Sequence, residues 1–120
     1  MIEYKLTEAE TRFMELIWEN EPIGSGELVK LSKDKLCWEK STTYTELRRL
    51  CDKGILCNNN SIVASVFNKD EFYARQSEKF VADTFNGSLP KFVAAFTRNK
   101  RLSKQEIDEL EKLIKEHKED

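Results

Sequence analysis

Hydroxyl, phenol and guanidinium side chains are concentrated in one segment, residues 40–53, which has the sequence KSTTYTELRRLCDK. At helical spacing, Thr43, Leu47 and Leu50 gather on one side of this segment, whereas the polar groups occupy the other sides. A polar surface of this kind is typical of a recognition helix, which lies in the DNA major groove and reaches base edges and phosphates. The residues predicted to contact DNA are Lys40, Ser41, Thr42, Tyr44, Thr45, Arg48, Arg49 and Lys53 of this helix, with Asn59 and Asn60 of the turn that follows.

Positive charge is concentrated around the same segment, although the whole chain of 120 residues carries a formal charge of −2. Residues 1–27 hold two basic and seven acidic side chains, a balance of −5. Residues 28–55 hold seven basic and four acidic side chains, a balance of +3. A local basic patch can bind phosphates on a nearly neutral protein, so we expect DNA binding of moderate affinity and strong salt dependence.

Residue types suited to catalysis or metal binding are scarce in the sequence. The three cysteines, Cys37, Cys51 and Cys57, have no CxxC spacing, and His117 is the only histidine. There is no nucleophile–base pair and no glycine-rich phosphate loop, so we expect neither an enzyme nor a cofactor or metal site. The odd number of cysteines favours a reduced, cytoplasmic protein. The first residues do not resemble a signal peptide and no apolar run is long enough to span a bilayer, so no membrane insertion is expected.

Two helices are predicted ahead of the recognition helix. A capping box formed by Thr7 and Glu10 opens the first, which ends before Pro22. The second is short, from about residue 25 through 31, and a lysine-rich linker at 32–37 follows it. The apolar stripe predicted for the first helix consists of Ala9, Phe13, Leu16 and Ile17.

Strand-forming residues follow the recognition helix. Residues 55–57 and 62–68 are predicted to be paired strands, joined by a turn at 58–61, and residues 23–24 to add a short strand. Helix, short helix, helix and β-hairpin is the order of a winged helix-turn-helix, in which the hairpin at about 55–68 is the wing.

The C-terminal part is predicted to be helical and rich in phenylalanine. Helices are expected over 70–86, after a cap at Ser88, and after a capping box that starts at Ser103. These amphipathic helices cannot readily enclose a core alone, so we expect burial against a second chain in a symmetric homodimer; packing onto the N-terminal part of a monomer is the alternative. The predicted fold class is mainly α with a small β-hairpin wing, with a winged-helix domain at 1–69 and a helical dimerisation region at 70–120. The predicted dimer interface comprises Phe80, Phe85, Phe92, Val93, Phe96, Ile107, Leu110, Leu113 and Ile114.

Three segments, in the same order and distributed over nearly the whole chain, resemble the penicillinase and methicillin-resistance repressors and the related copper-responsive repressors. The opening helix of the family is matched by Leu6-Thr7-Glu8-Ala9-Glu10 with Leu16-Ile17-Trp18-Glu19. Its recognition helix is matched by Trp38, Thr42, Tyr44-Thr45, Arg49-Leu50 and Asp52-Lys53-Gly54. Its closing helix is matched by SKQEIDELEKL, which starts at Ser103. The resemblance implies a dimeric winged-helix repressor that binds a palindromic double-stranded DNA operator.

The resemblance also implies roles for single residues. Thr42 and Thr45 would face the groove, and Arg49 would lie near a base or a phosphate. Tyr44 would contact a sugar–phosphate or a thymine methyl. Glu46 stands where relatives tend to carry an apolar residue, so the operator sequence does not transfer from them.

The family releases DNA in two ways, and the sequence departs from both. In the antibiotic-resistance branch a membrane-sensor pathway relieves repression by cutting an Asn-Phe bond. The matching position here, Ala95 and Phe96, is the candidate proteolytic site, with alanine in place of asparagine. The copper branch binds metal through paired C-terminal cysteines, and no cysteine follows Cys57, so metal sensing by that route is excluded.

One alternative function stays open, a winged-helix protein-interaction module without sequence-specific DNA binding. The acidic first helix, the nearly neutral total charge and Glu46 beside the polar face favour it. A complex with a protein that survives high salt would support this alternative, because phosphate contacts weaken steeply as salt rises.

Overall fold

The computed structural model describes residues 1–118, in which three helices are followed by a β-hairpin and three further helices. This order confirms the predicted fold class, mainly α with a small antiparallel sheet and a winged helix-turn-helix. The elements are α1 (Glu8–Asn20), β1 (Ile23–Gly24), α2 (Ser25–Leu36), α3 (Lys40–Asp52), β2 (Leu56–Asn59), β3 (Ile62–Ser65), α4 (Lys69–Thr84), α5 (Leu89–Asn99) and α6 (Lys104–Lys118).

The wing is the hairpin of β2 and β3, whose strands are joined by a two-residue turn. Antiparallel pairing places Asn59 opposite Ile62. Between them, Asn60 and Ser61 have φ angles of 51° and 66°. Positive φ at both central residues is the turn geometry that matches the right-handed twist of a hairpin. The short strand predicted at Ile23–Gly24 pairs with the other edge of β3, which gives the strand order β1-β3-β2.

Two capping boxes fix the starts of α1 and α6, as the sequence predicts. The Thr7 hydroxyl accepts a hydrogen bond from the Glu10 amide at 3.1 Å, and the Glu10 carboxylate accepts one from the Thr7 amide at 2.9 Å. Ser103 and Glu106 make the same reciprocal pair at 3.1 Å and 3.0 Å. Each box supplies partners for amides that the first turn of a helix leaves unpaired.

The core lies between the first three helices and the sheet, and its stripe on α1 differs from the predicted one. Phe13, Met14 and Ile17 are fully buried, whereas Ala9 is exposed. The buried stripe starts at Glu10, which is 3% exposed, and repeats at spacings of three and four, so Ala9 falls on the solvent side. The α1 residues pack against Leu28, Leu47, Leu50, Ile55, Leu56, Val63 and Phe72.

α2 is longer than the sequence predicts, because the expected linker at 32–37 is mostly helix. Ser32 is fully buried and Leu36 is half-buried, so one face of the lysine-rich stretch packs against the core. The composition of the stretch does not predict this buried face. Cys37 ends the helix in the left-handed conformation, with φ 58°, and its amide donates to the Ser32 carbonyl. Only residues 37–39 then separate α2 from α3, a turn of the length found in helix-turn-helix motifs.

The chain divides into two compact units, and the second begins at Phe80, ten residues later than the expected boundary at 69/70. Phe72 of α4 accounts for the difference. Its ring is fully buried in the first unit and lies 5.9 Å from the ring of Tyr4 and 5.5 Å from that of Trp18, centroid to centroid. The first turns of α4 therefore complete the winged-helix core.

Candidate nucleic-acid interface

α3 has one face in the core and the others in solvent. Thr43, Leu47 and Leu50 are 0%, 3% and 0% exposed, so the rotation of this helix about its axis is fixed by packing. With this rotation, the polar side chains of α3 point into solvent on the side of the helix opposite the core. The predicted contact residues that are exposed on α3 are Lys40, Ser41, Thr42, Tyr44, Thr45, Arg48 and Arg49.

Arg49 is exposed but already paired. Its Nη1 lies 3.0 Å from Oε1 of Glu46, one turn earlier on α3. The Arg49 side chain is 58% exposed and the Glu46 side chain only 16%. A pair of this exposure contributes little to folding stability. It does, however, offset the positive charge that Arg49 would otherwise present to a phosphate.

Lys53 does not point into solvent, which corrects its prediction as a DNA-contacting residue. Its Nζ lies 3.1 Å from Oε2 of Glu10 and 3.1 Å from the carbonyl oxygen of Lys5, and its side chain is 18% exposed. The Glu3 amide also donates to the Lys53 carbonyl at 3.0 Å. Lys53 therefore connects the end of α3 to α1, through the Glu10 carboxylate, and to the N-terminal segment, through the Lys5 carbonyl.

Glu10 is the buried carboxylate of this anchor. Burial alone would raise its pKa, but the Thr7 amide, the Lys53 ammonium and the Thr7 hydroxyl together outweigh burial and hold the pKa below its ordinary value of 4.5. The carboxylate is therefore ionised at neutral pH and pairs with Lys53.

A cleft of about 510 Å³ lies between α3 and the wing strand β2. Tyr44, Arg48 and Asn58 are the exposed residues at this cleft, so they bring α3 and the wing together at one surface. Asn58 is missing from the predicted contacts, because a run of three asparagines carries no signal that separates strand from turn. The lining consists of Tyr44, Leu47, Arg48, Cys51, Leu56, Cys57 and Asn58.

The two cysteines of the cleft are half-buried free thiols. Burial, with additional contributions from Cys57 and Asp52, raises the pKa of Cys51. Cys57 donates from its Sγ to the Ala64 carbonyl at 3.5 Å across the hairpin. A protonated, half-buried thiol is a poor nucleophile, so Cys51 serves as a small packing residue.

Asn59 and Asn60 lie exposed at the end of the wing. The turn is shorter than the four residues predicted at 58–61, because positive φ at Asn60 and Ser61 closes the hairpin with two residues. Asn59 consequently belongs to β2 and pairs with Ile62. The two amide side chains stand at the tip of the hairpin, where a partner can reach them.

The second unit combines an aromatic cluster with exposed apolar faces. The rings of Phe80, Phe85 and Phe92 contact each other edge to face, with centroids 5.5 to 6.0 Å apart. Phe85 and Phe92 are half-buried in this cluster. The other residues predicted for the dimer interface are exposed: Phe80, Val93, Phe96, Ile107, Leu110, Leu113 and Ile114.

Ala95 and Phe96 lie within α5, and both are exposed. The bond between them is inside a regular helix. A protease binds its substrate as an extended strand, so cleavage at this bond requires α5 to unwind locally.

Within residues 1–118, no cluster of three or more histidine, cysteine, aspartate or glutamate side chains could hold a metal ion. In the same part of the chain, no helix is both long and apolar enough to cross a lipid bilayer.

Comparison with known protein families matches residues 6–116 to the penicillinase repressor family. The chain belongs to this family. The match covers both compact units, which confirms the family resemblance of the three sequence segments. Members of the penicillinase repressor family are transcriptional repressors and not enzymes, so the protein is a repressor, and the prediction that it is no enzyme is confirmed.

Individual relatives agree with the family assignment. The chain is 30% identical over 118 residues to the penicillinase repressor of Bacillus licheniformis, covering 95% of this chain and 92% of that protein. It is 24% identical over 115 residues to the methicillin resistance regulatory protein MecI of Staphylococcus aureus, covering 92% and 94%. The MecI of Mammaliicoccus sciuri is also 24% identical over 115 residues. The alignments span almost the full length of each relative, so the family relationship applies to both units.

Proposed function

We propose that this member of the penicillinase repressor family represses transcription as a homodimer bound to a palindromic operator. In this proposal α3 enters the major groove and the wing contacts the flanking backbone. The observation that carries it is the two-sided environment of α3, whose inner face is fixed in the core while its outer face presents hydroxyls and Arg48 to solvent.

The contact residues that we propose are Lys40, Ser41, Thr42, Tyr44, Thr45, Arg48 and Arg49 of α3, with Asn58, Asn59 and Asn60 of the wing. Lys53 is left out because it pairs with Glu10 and its side chain is only 18% exposed, whereas the side chain of Arg49 is 58% exposed. Hydroxyl and amide groups can bind both phosphates and base edges, and no carboxylate of the set competes with them. The local charge of residues 28–55 attracts DNA despite the total charge of −2.

The dimer is proposed from the apolar faces of the second unit. Leu113 and Ile114 of α6 are 54% and 60% exposed, and Phe96 of α5 is 46% exposed. Contiguous exposure of this kind is rare on a monomer and is buried when a second copy packs against it. A two-fold axis would place two α3 helices about 34 Å apart, one turn of DNA, or at a multiple of that distance.

Cytoplasmic location and release by proteolysis belong to the same proposal. A bacterial operator lies in the cytoplasm, so a repressor acts there. The Ala95–Phe96 bond is the candidate cleavage site for a membrane-sensor pathway, and its position in α5 means that cutting it would also damage the proposed dimer face.

Selection from a randomised duplex library tests the proposal and yields the operator sequence in the same experiment. We expect the wild-type protein to enrich a palindrome, and gel shifts with the enriched duplex to weaken steeply between low and high salt. Ser41→Asp, which adds a carboxylate to the outer face of α3, should abolish binding by repelling phosphates. Ser77→Asp, the same change at an exposed position of α4, should retain it. No enrichment, together with a protein complex that survives high salt, would favour the interaction module instead.

A further inference from the structure

The cations of α3 are divided between its two flanks. On a helical wheel, Arg49 and Lys53 lie on one flank with Glu46, and Arg48 lies on the other with Tyr44 and Cys51.

Both cations of the first flank are held by carboxylates. Arg49 pairs with Glu46 at 3.0 Å, and Lys53 pairs with Glu10 at 3.1 Å. In each pair the carboxylate is the more buried partner, with side-chain exposures of 16% for Glu46 and 4% for Glu10. Their negative charges are fixed close to the helix, so this flank offers DNA little net positive charge.

The side chain of Arg48, on the flank next to the wing, is exposed and forms no ion pair or hydrogen bond within the described residues, 1–118. It lines the cleft between α3 and β2 together with Asn58. A guanidinium in this position can bind a nucleic acid without first leaving another partner.

We infer that Arg48, and not Arg49, supplies the principal guanidinium contact of α3 with DNA, and that Glu46 suppresses the contribution of Arg49. This inference rests on the proposed operator binding. The ligand chemistry is a guanine edge, through its O6 and N7 acceptors, or a phosphate, since a guanidinium donates two parallel hydrogen bonds to either.

The cost of partner exchange separates the two arginines. For Arg49 to bind DNA it must release Glu46, whose carboxylate would then lie unpaired near the phosphates. For Arg48 only water is displaced. The adjacent residues Arg48 and Arg49 therefore form a matched pair for mutagenesis, because removal of either changes the charge of the chain by the same amount.

Equilibrium binding of the selected duplex and of an unrelated duplex, measured across a salt series, tests the inference. We expect Arg48→Ala to weaken specific binding by about five- to 150-fold, the range for a lost arginine contact. Arg49→Ala should weaken it less than Arg48→Ala does, and the Arg49→Ala, Glu46→Gln double variant, which leaves no bare carboxylate, should stay within about threefold of the wild type. Loss confined to the selected duplex identifies a base contact. A similar loss on both duplexes, with a slope of log K against log salt that is shallower by about 0.9, identifies a phosphate contact.

Glu46→Gln tests the suppression directly. It should tighten binding to both duplexes and steepen the salt slope by about 0.9, because one more cation becomes available to a phosphate. In the Glu46→Gln background, Arg49→Ala should abolish that gain. Circular dichroism and urea unfolding of each variant establish that the fold is retained.

The outcomes separate this inference from the proposed function. Wild-type binding with an equal or greater loss for Arg49→Ala than for Arg48→Ala overturns the inference and leaves operator binding intact. Unchanged affinity and salt slope in Glu46→Gln overturns the suppression by Glu46. Absence of any wild-type binding removes the proposed function and the inference with it.

Discussion

Thr43 and Thr45 are two residues apart on α3 and have opposite environments. Thr43 is fully buried, and its hydroxyl has no hydrogen-bond partner among residues 1–118. Thr45 is exposed on the outer face. Substitutions at Thr43 therefore test the contribution of α3 to folding stability, and substitutions at Thr45 test its contribution to DNA binding.

Thr43→Val should raise the free energy of unfolding by about 1 kcal/mol, because a buried hydroxyl without a partner costs about 1–3 kcal/mol and valine has nearly the same shape. Urea denaturation at constant m-value measures the change. The matched Thr45→Val should leave stability within about 0.5 kcal/mol and weaken DNA binding. A clear loss of stability in Thr43→Val would show that its hydroxyl has a partner, such as a buried water.

Glu10 makes stability depend on pH at the acid end. Its pKa is lower in the folded protein than in the unfolded chain, so its stabilisation is complete above the ordinary value of 4.5 and is lost as the pH falls through the folded value. Glu10→Gln should lower the free energy of unfolding at pH 7 by about 1.5–3 kcal/mol, the contribution of hydrogen bonds to a charged group.

Urea midpoints measured at several pH values below 7 check the prediction for Glu10. The wild type should lose stability below pH 4.5, and Glu10→Gln should lose less over the same interval. Glu8→Gln, an exposed neighbour in the first turn of α1, is the control and should follow the wild type. Parallel curves for wild type and Glu10→Gln would contradict the anchor between Glu10 and Lys53.

At the scale of elements, the wing turn places a non-glycine residue in the left-handed region twice in succession. Ser61 has φ 66°, a conformation that costs an L-residue about 1–2 kcal/mol and glycine almost nothing. Ser61→Gly should therefore raise the melting temperature by several degrees, and Ser61→Ala should not. Thermal unfolding followed by circular dichroism measures both. Equal effects of glycine and alanine would argue against the two-residue turn.

Short-range signals let the sequence predict the starts of helices. The capping boxes at Thr7 and Ser103 depend on residues three positions apart, and both form as expected. The winged-helix order could be predicted for the same reason, since each element has its own periodicity and turn residues.

Features that depend on distant residues could not be predicted. The local pattern predicts an exposed side chain for Lys53, but its ammonium pairs with Glu10, which lies 43 residues away in the sequence. α2 extends to Leu36 because Ser32 packs into a core that the lysine-rich composition does not reveal. In the candidate site, the spacing of the residues is enough to predict which face of α3 points outwards. The ion pair of Arg49 with Glu46 could not be predicted, because it depends on the conformations of the two side chains.

At the scale of the whole molecule, the proposal needs two copies of the chain. Leu113 is 54% exposed in one chain, so its substitution does not remove a core contact of the protomer. Leu113→Glu should weaken dimerisation by about 2 kcal/mol or more, because each interface would bury a carboxylate without a partner. Sedimentation equilibrium measures the dimer dissociation constant.

Lys112→Gln is the control for Leu113→Glu, since it changes the charge of an adjacent exposed position on α6 by the same amount. It should leave dimerisation unchanged, and both variants should keep the helical circular dichroism of the wild type. If Leu113→Glu dimerises as tightly as Lys112→Gln, the stripe on α6 is not the interface.

The stoichiometry of the complex tests the central claim most directly, because the claim is that two fixed copies of α3 bind two half-sites. Sedimentation velocity of the wild-type protein with the selected duplex should show two chains per duplex and no complex with one chain. Inserting five base pairs between the half-sites, about half a helical turn, should abolish this complex. One chain bound per duplex, with affinity unaffected by the insertion, would contradict the account.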